Sequence, residues 1–322
     1  MSNFPELSQK YRIKSVASTT GLSTHVIRKW EARYHLIRPQ RGPNGYRLYT
    51  DDDIQLLLYL KSQLNNGESI GQLAQAGEHD LRQSMLHAPL NLSGIPPMYR
   101  NDAQEIIRLA RRQDVPAITT MLENWIGRMG LEAALDIIIF PLLRLFGDLW
   151  HQGGISFRGE QSVSWLVRQH LINVLREEPP PGGPHAFIAC VPGDFHEIGP
   201  LSAAVLLRGI GWHSMYLGPN VSFEMLKMAL HRKHAQLMIL ACNIEPEEKT
   251  LQSWLQDITQ HLQPSCSIMV GGPGFRPYAH LFNTHNISYF NQVQDVKACQ
   301  PRTRIPHLVT AVGHSSFTPW DS

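Results

Sequence analysis

The sequence lacks an apolar run long enough to cross a membrane. An apolar stretch such as 135–143 is far shorter than the roughly 20 residues that a spanning helix needs, and Arg144 and Asp148 follow it at once. The start of the chain contains no apolar secretory core. We therefore expect a cytoplasmic protein without a membrane partner.

Cysteine is scarce as well. The chain has 4 cysteines, at positions 190, 242, 266 and 299, and no two of them have the C-x-x-C spacing. Zinc ribbons need closely spaced cysteines, and disulfide frameworks need several paired ones. The sequence excludes both classes. A hydrophobic content of 43% and a charged content of 17% exclude whole-chain disorder.

Positive charge is concentrated near the amino terminus. Residues 1–70 contain ten Lys and Arg against six Asp and Glu, a net charge of +4, whereas the whole chain is only +2. A basic module on a near-neutral body predicts contact with a polyanion, usually nucleic acid. Ordinary solvated surface charge is the alternative.

Two segments rich in Pro and Gly divide the chain. Residues 87–99 lack helical periodicity, and 177–184 (EEPPPGGP) can continue neither a helix nor a central strand. They delimit three predicted modules and an irregular tail, which extend over 1–85, 100–178, 185–300 and 301–322.

The first module has a helix-turn-helix pattern. A short amphipathic helix over 13–19 ends at Thr20-Gly21, and Ser23 is a good N-cap for a second helix over 24–34. The second helix presents side chains that can reach bases and phosphates. They are Thr24, His25, Arg28, Lys29 and Arg33. The alternative is a small helical domain with surface arginines.

A hairpin and a third helix follow. Asn44-Gly45 between two short extended runs is a strong hairpin signal. Such a hairpin can lie along the DNA backbone as a wing. The wing residues that would contact DNA are Arg41, Tyr46, Arg47 and Tyr49. The third helix is predicted over 51–65, with Asp residues in its first turn and one apolar face.

This module resembles the DNA-binding domain of the MerR family of transcription regulators. The similar runs are 13–21, 26–34 and 39–49, and the form Trp30-Glu31-x-Arg33-Tyr34 is typical of the branch whose effector domain binds cobalamin. The resemblance implies a homodimer or higher homo-oligomer on double-stranded, palindromic promoter DNA. Sensing of mercury or copper is not expected, because no cysteine precedes position 190.

The middle module is predicted to be a four-helix bundle. Its helices extend over 102–113, 116–129, 131–150 and 156–176. Trp150, His151 and Glu160 combine an aromatic plate, a nitrogen ligand and a carboxylate. A buried tryptophan beside a solvated histidine is the simpler alternative.

The same module resembles the helical cap of cobalamin-binding photoreceptor repressors (the CarH/LitR type), where Trp, nine residues and Glu-His lie over the cobalt. Trp150 and Glu160 have that spacing. The resemblance implies that Trp150 packs against the adenosyl group of adenosylcobalamin, and that Glu160 holds its ribose. His151 would be a candidate upper cobalt ligand once the adenosyl group has left. Gln161 stands where the pattern has His, and glutamine neither titrates nor ligates cobalt well.

The last module alternates strands with helices, which predicts a doubly wound parallel α/β sheet. Strands are expected over 186–191, 213–217, 236–242 and 267–270, and helices over 201–210, 223–233 and 249–261. Ligands of such sheets bind at the carboxyl ends of the strands. Asp194-x-His196 follows the first strand there, and an imidazole with a carboxylate partner can ligate a metal. A loop histidine is more often structural.

The spacing around His196 resembles the cobalamin domain in which a histidine binds the lower face of the cobalt. That pattern is D/E-x-H-x-x-G, about 41 residues, S/T-x-L, about 27 residues and G-G. In this chain 41 residues follow Gly199, and 27 residues separate the next triplet from Gly271-Gly272. The resemblance implies that His196 is the lower axial cobalt ligand and Asp194 its partner, and that the nucleotide tail passes the two glycines.

The middle triplet departs from the pattern. Ala241 replaces the Ser or Thr that would contact the tail, and Asn243 replaces the Leu. Cys242 or Asn243 is a candidate substitute contact.

Together these features predict a non-enzymatic transcription regulator whose oligomerisation and operator binding respond to cobalamin, with light acting through the cobalt–carbon bond. The alternative is a regulator whose cobalamin-like domain holds no cofactor and is controlled by a protein partner. Ala241, Asn243 and Gln161 favour that alternative, whereas His196 and His151 oppose it. A cobalamin-dependent methyltransferase or mutase subunit would leave the first module without a role.

Overall fold

The computed structural model describes residues 10–179 and 181–299, and the predicted tail over 301–322 lies outside them. The chain divides into two units, Met1–Val163 and Ser164–Ser322. Because this boundary falls inside the predicted bundle, the division into three modules stays a prediction. Within the described ranges, no helix is long and apolar enough to cross a bilayer.

The first part of unit 1 is a helix-turn-helix with a small antiparallel sheet. Its elements are β1 (Tyr11–Arg12), α1 (Ile13–Thr20), α2 (Thr24–Tyr34), β2 (Gln40–Arg41), β3 (Arg47–Tyr49), α3 (Asp51–Asn65) and α4 (Ile70–Leu86). The strand order is β1-β3-β2. Two elements were not predicted: β1 has only two residues, and α4 is interrupted at Gly77, whose φ is +82°.

Local capping explains where these helices begin and end. The Ser23 hydroxyl accepts a hydrogen bond from the backbone N–H of Val26 at 3.2 Å. Before α3, Thr50 and Asp53 each accept a bond from the backbone N–H of the other, at 3.2 and 2.9 Å. Gly21 ends α1 in the left-handed conformation, with φ +64°. The three predicted helices of this part are confirmed.

The second part of unit 1 is a helical bundle, as predicted. Its helices are α5 (Arg100–Arg111), α6 (Val115–Met129), α7 (Leu131–Ala134), α8 (Phe140–His151) and the beginning of α9 (Phe157–Arg176). α7 continues into α8 through the π-helical turn Leu135–Ile139. The long helix predicted over 131–150 is therefore present with one irregular turn.

Helix α3 is buried around its whole circumference. Every residue from Asp53 to Leu60 is buried, although the sequence predicts a single apolar face. α1 and α4 contact the helix, and α8 of the bundle contacts it as well. A helix with partners on several sides needs apolar side chains all round, which explains the burial of Leu56 and Tyr59 outside the predicted face.

Unit 2 contains a parallel sheet with helices on both faces. Its strands are β4 (His185–Cys190), β5 (His213–Gly218), β6 (Leu237–Ala241), β7 (Ser267–Gly271) and β8 (Ser288–Phe290). Its helices, besides the end of α9, are α10 (Ile198–Gly209), α11 (Phe223–Arg232), α12 (Glu248–Asp257) and α13 (Ala279–Thr284). The strand order is β5-β4-β6-β7-β8, and all pairs are parallel. The predicted α/β class and its four strands are confirmed; the three-residue β8 was missed.

The centre of this sheet is apolar on both faces. All five residues of β6 are buried, as expected for a strand that is covered on both sides. Phe187 and Leu240 of the sheet pack in one apolar cluster with residues of α11 and α12. Helix α10 packs on β4 and β5. Because β4, β6 and β7 are neighbouring parallel strands, the loops that follow them lie at the same carboxyl edge of the sheet.

Candidate functional site

The predicted DNA-contacting side chains of α2 lie on its exposed face. His25, Arg28, Lys29 and Arg33 are exposed and Thr24 is half-buried. Ile27 and Trp30, on the opposite face, are buried in the core of the domain. The recognition helix therefore presents its basic side outward, and its base contacts stay a prediction.

Arg47 joins the predicted wing to this helix. Its Nε donates to both carboxylate oxygens of Glu31, at 2.8 and 2.9 Å. The hydrogen bond and the charge of Glu31 raise the pKa of Arg47. A charge-assisted pair between β3 and α2 fixes the orientation of the wing. Glu31 is thus a positioning residue that the sequence did not reveal, since its partner lies 16 positions along the chain.

Tyr49 does not lie on the surface of the wing. Its side chain is 0% exposed, and burial, followed by the charge of Glu31, raises its pKa to about 12. Side chains alternate along a strand, so Tyr49 enters the core while Tyr46, in the turn before β3, is 59% exposed. The predicted contact of Tyr49 with DNA is therefore wrong; Arg41, Tyr46 and Arg47 remain candidates.

Arg12, a cation of β1, lies beside the wing, although the sequence did not predict it there. The guanidinium carbon of Arg12 lies 5.3 Å from the centroid of the Tyr46 ring, and Arg12 is exposed. The pairing of β1 with β3, which sets Arg12 opposite Leu48, brings it there. The sequence shows the charge of Arg12 but not this placement. Its position makes it a further candidate for a phosphate contact.

At the carboxyl edge of the unit 2 sheet, His196 is held by a buried carboxylate. The imidazole Nδ1 lies 2.8 Å from Oδ1 of Asp194, which also accepts the backbone N–H of His196 at 2.9 Å. The His196 side chain is 51% exposed, and that of Asp194 is 2% exposed. The sequence-predicted pair is thus brought together after β4, as the metal-ligand argument requires.

Asn243 completes this arrangement from the loop after β6. Its backbone N–H donates to Oδ2 of Asp194, and its Nδ2 lies 3.3 Å from the same oxygen. Nδ2 is also 3.4 Å from the carbonyl oxygen of His196. The departure from the family pattern at position 243 therefore ties two loops together. The thiol of Cys242, the other candidate substitute, instead donates to Ile244 O at 3.1 Å.

The hydrogen bonds to Asp194 determine which atoms of Asp194 and His196 carry a proton. Burial opposes the charged form of Asp194, but the hydrogen bonds from His196 and Asn243 outweigh it, and the pKa of Asp194 is lowered. An ionised carboxylate can only accept hydrogen bonds, so Nδ1 of His196 carries the proton. In the neutral ring Nε2 is then the nitrogen with ligand character.

A second network supports the same loop. Arg168 donates to both oxygens of Glu197, next to His196, and Tyr216 donates to Glu197 at 3.2 Å. The pKa of Arg168 is raised by its bond to Glu197. The thiol of Cys190 lies 3.6 Å from the Tyr216 hydroxyl, and burial raises its pKa to about 12. These partners are far apart along the chain, so no local sequence pattern indicates that they meet.

The predicted glycines are packed against the protein itself. A Cβ on Gly271 would lie 2.3 Å from the ring of Phe290, and one on Gly272 would lie 2.3 Å from the carbonyl oxygen of Cys242. Gly272 also has a φ of +106°. Both glycines are therefore required by close packing, whatever passes beside them. Ala241, at the end of β6, is 1% exposed, and Gly199 lies in the first turn of α10.

In unit 1 the predicted cap residues form two local pairs. The rings of Trp150 and His151 have centroids 4.6 Å apart, and Nε2 of Gln161 donates to Glu160 at 3.1 Å. His151 is exposed at the end of α8, whereas Trp150 packs partly against the core of the DNA-binding part. Their roles toward a cofactor stay predictions.

Comparison with known proteins identifies the amino-terminal part. Residues 11–78 match the family described as "MerR HTH family regulatory protein". Residues 11–78 therefore form a MerR-type helix-turn-helix domain. The chain is 28% identical over 291 residues to the "HTH-type transcriptional repressor CarH" of Myxococcus xanthus, covering 88% of this chain and 96% of that protein. The relatives in this comparison are named as transcriptional repressors, which agrees with the predicted non-enzymatic role.

Two further similarities complete the comparison. The chain is 27% identical over 302 residues to the "HTH-type transcriptional repressor CarA" of the same organism, covering 91% of this chain and 97% of that protein. It also resembles the monomethylamine corrinoid protein of Methanosarcina barkeri, with 16% identity over 61% of this chain and 94% of that one. The TM-score of 0.46 is too low to support an argument about fold or ligand.

Proposed function

We propose that the protein is a MerR-type transcriptional repressor whose operator binding is controlled by a cobalamin cofactor. The observation that carries the proposal is the half-exposed imidazole of His196, anchored by the buried carboxylate of Asp194 at the carboxyl end of a central strand. Similarity to two named repressors along almost the whole chain supports the repressor role.

The residues around His196 suit a corrinoid. Cobalamin would supply a cobalt ion that can bind a neutral imidazole and, in the adenosyl form, a light-sensitive cobalt–carbon bond. Asp194 holds the proton on Nδ1 and so presents Nε2 for ligation. Phe195 and Ile244, in the two loops that Asp194 joins, are 65% and 56% exposed and offer apolar surface to a flat macrocycle.

The test is the absorption spectrum of the full chain after cobalamin is added and the excess is removed. We expect retained colour and a spectrum with the nucleotide base displaced from cobalt. His196→Ala should lose that signature, whereas His231→Ala, which removes an exposed imidazole from α11, should keep it. An unaltered spectrum in His196→Ala would show that the cobalt is not held by this ring.

The finer parts of the proposal rest on resemblance. They are the adenosyl form of the cofactor, the roles of Trp150, His151, Glu160 and Gln161 toward it, a homodimer or higher homo-oligomer on promoter DNA, and a cytoplasmic location. Green light on the purified cofactor-loaded protein should change both its spectrum and its molecular mass. Neither change would occur in a regulator that does not respond to light.

A second candidate is a cofactor-free domain that docks a regulatory protein. The ring of Phe290 against Gly271 and the buried Ala241 favour it, because the place predicted for the nucleotide tail already has protein neighbours. Exposed Phe195 and Ile244 would then belong to a protein interface. A purified chain that stays colourless after incubation with cobalamin would support this candidate and refute the first.

A further inference from the structure

The turn between α8 and α9 lies directly against helix α3 of the DNA-binding part. Gly153, in this turn, is buried, and a Cβ placed on it would lie 2.3 Å from the carbonyl oxygen of Gln55 and 2.7 Å from the backbone nitrogen of Tyr59. The φ of Gly153 is +74°. Backbone proximity and backbone conformation therefore both require glycine here. We name residues 152–155 the docking turn.

Polar contacts hold the docking turn and the start of α9 in place. Arg158 forms an ion pair with Asp51, with 3.2 Å between Nε and Oδ2. Asp51, Gln55 and Tyr59 are spaced four apart and so form one stripe along α3. The bundle therefore contacts α3 along more than two helical turns, and this stripe is separate from the exposed face of α2.

One arginine joins three parts of unit 1. Arg111 of α5 donates from Nε to the carbonyl oxygen of Gly154 and from Nη1 to that of Leu86 at the end of α4, each at 3.0 Å. The docking turn and the end of the DNA-binding part therefore have a common donor in the bundle. A shift of the turn would disturb both bonds.

The docking turn directly follows the residues predicted to sense a cofactor. Trp150 packs partly against the core of the DNA-binding part, and its Nε1 is buried without a hydrogen-bond partner among the described residues. His151 lines a cleft of about 820 Å³, which the ends of α1 and α3 also line. Only two residues separate Trp150 from Gly153, so a displacement of the Trp150 ring at one end of this segment reaches α3 at the other.

We propose that the docking turn couples cofactor binding to DNA binding within one protomer. In the docked state Gly153 holds α3, and with it the recognition helix, in one orientation relative to the bundle. A ligand that displaces Trp150 or His151 moves Gly153 away from α3 and releases that orientation. Packed contacts of this kind have discrete arrangements, which a ligand can bias only if it interacts differently with each. This inference rests on the proposed function.

The decisive variant is Gly153→Ala, with Gly130→Ala as its matched control. Gly130 also has a positive φ, +81°, but a Cβ there meets nothing within 4 Å. Both variants strain the backbone, and only Gly153→Ala pushes a methyl group into α3. We expect amide hydrogen exchange of α3 to rise about tenfold or more in Gly153→Ala, and to stay as in the wild type in Gly130→Ala.

The functional readout is operator affinity with and without cobalamin, measured beside the cobalamin spectrum. The ratio of the two affinities should fall to about 1 in Gly153→Ala while the spectrum is retained, and should keep its wild-type value in Gly130→Ala. Arg158→Gln, which removes the charge that pairs with Asp51, should reduce the ratio partly. This second variant tests the coupling if Gly153→Ala does not fold.

Two results overturn the coupling alone. One is a wild-type affinity ratio in Gly153→Ala despite faster exchange of α3, and the other is unchanged exchange in that variant. A wild type that binds no cobalamin refutes the proposed function and the coupling together. The spectrum therefore separates the two failures.

Discussion

Replacement of Asp194 by asparagine should destabilise the parallel-sheet unit by about 2–3 kcal/mol. The carboxylate is 2% exposed and accepts bonds from the ring and backbone nitrogens of His196 and from both nitrogens of Asn243. One hydrogen bond to a charged group contributes about 1.5–3 kcal/mol, and the burial of the charge offsets part of the sum. Asp194→Asn keeps the shape but turns an amide NH₂ toward N–H donors.

The loss should depend on pH in a defined direction. The folded pKa of Asp194 is lowered from its usual 3.8, so the unfolded chain binds the proton more readily. The stabilisation is fully present above about pH 4 to 5 and is lost as the pH falls through the folded value. The difference between wild type and Asp194→Asn should therefore shrink as the pH falls through the folded pKa of Asp194.

Cysteine labelling provides an assay for this unit alone. All four cysteines lie in unit 2, the first of them at position 190, and Cys190 and Cys242 are at most 1% exposed. Samples equilibrated in urea at each pH would receive a brief labelling pulse, and the modified fraction of each thiol would be read by mass spectrometry. Unfolding of unit 1 does not contribute to this signal.

Asp295→Asn is the matched control. Asp295 is exposed and accepts two backbone N–H bonds, from Asn291 at 3.2 Å and Gln292 at 2.9 Å. Its loss should cost less than about 1 kcal/mol. Equal costs for the two variants, or a cost for Asp194→Asn that persists below the folded pKa, would refute the reasoning about the buried carboxylate.

Two further predictions concern the DNA-binding part. Tyr49→Phe should leave both stability and operator affinity unchanged or slightly improved, because the buried hydroxyl has no hydrogen-bond partner among the described residues. A loss of operator affinity in a gel shift would show that Tyr49 does contact DNA. Arg28→Ala should weaken operator binding and reduce the slope of log K against log [salt] by about 1. Lys249→Ala, which removes an exposed cation from α12, should leave that slope as it is, and an equal change in both variants would count against the contact by Arg28.

Much of the fold follows from local sequence. Caps such as Ser23, the turn at Thr20-Gly21 and the Asn-Gly hairpin act within a few residues, so the helix-turn-helix was readable without a structure. The alternation of apolar strands with helices predicted the parallel sheet for the same reason. A strand of three residues such as β8 carries too few positions for any pattern.

The sequence also placed Asp194 and His196 in one loop, because they are two positions apart. It determined the residue types, the charge of the amino-terminal module and the periodicity that makes each helix and strand. Those properties depend on neighbours along the chain.

Tertiary structure alone decided which distant groups meet. Glu31 with Arg47, Asn243 with Asp194, and Gly153 with α3 are contacts over long separations in sequence. It also turned Tyr49 inward, since the pairing of β1 with β3 sets which face of a strand is covered. The sequence shows that a side chain is able to pair or pack. Which residue becomes its partner depends on how the helices and strands pack together.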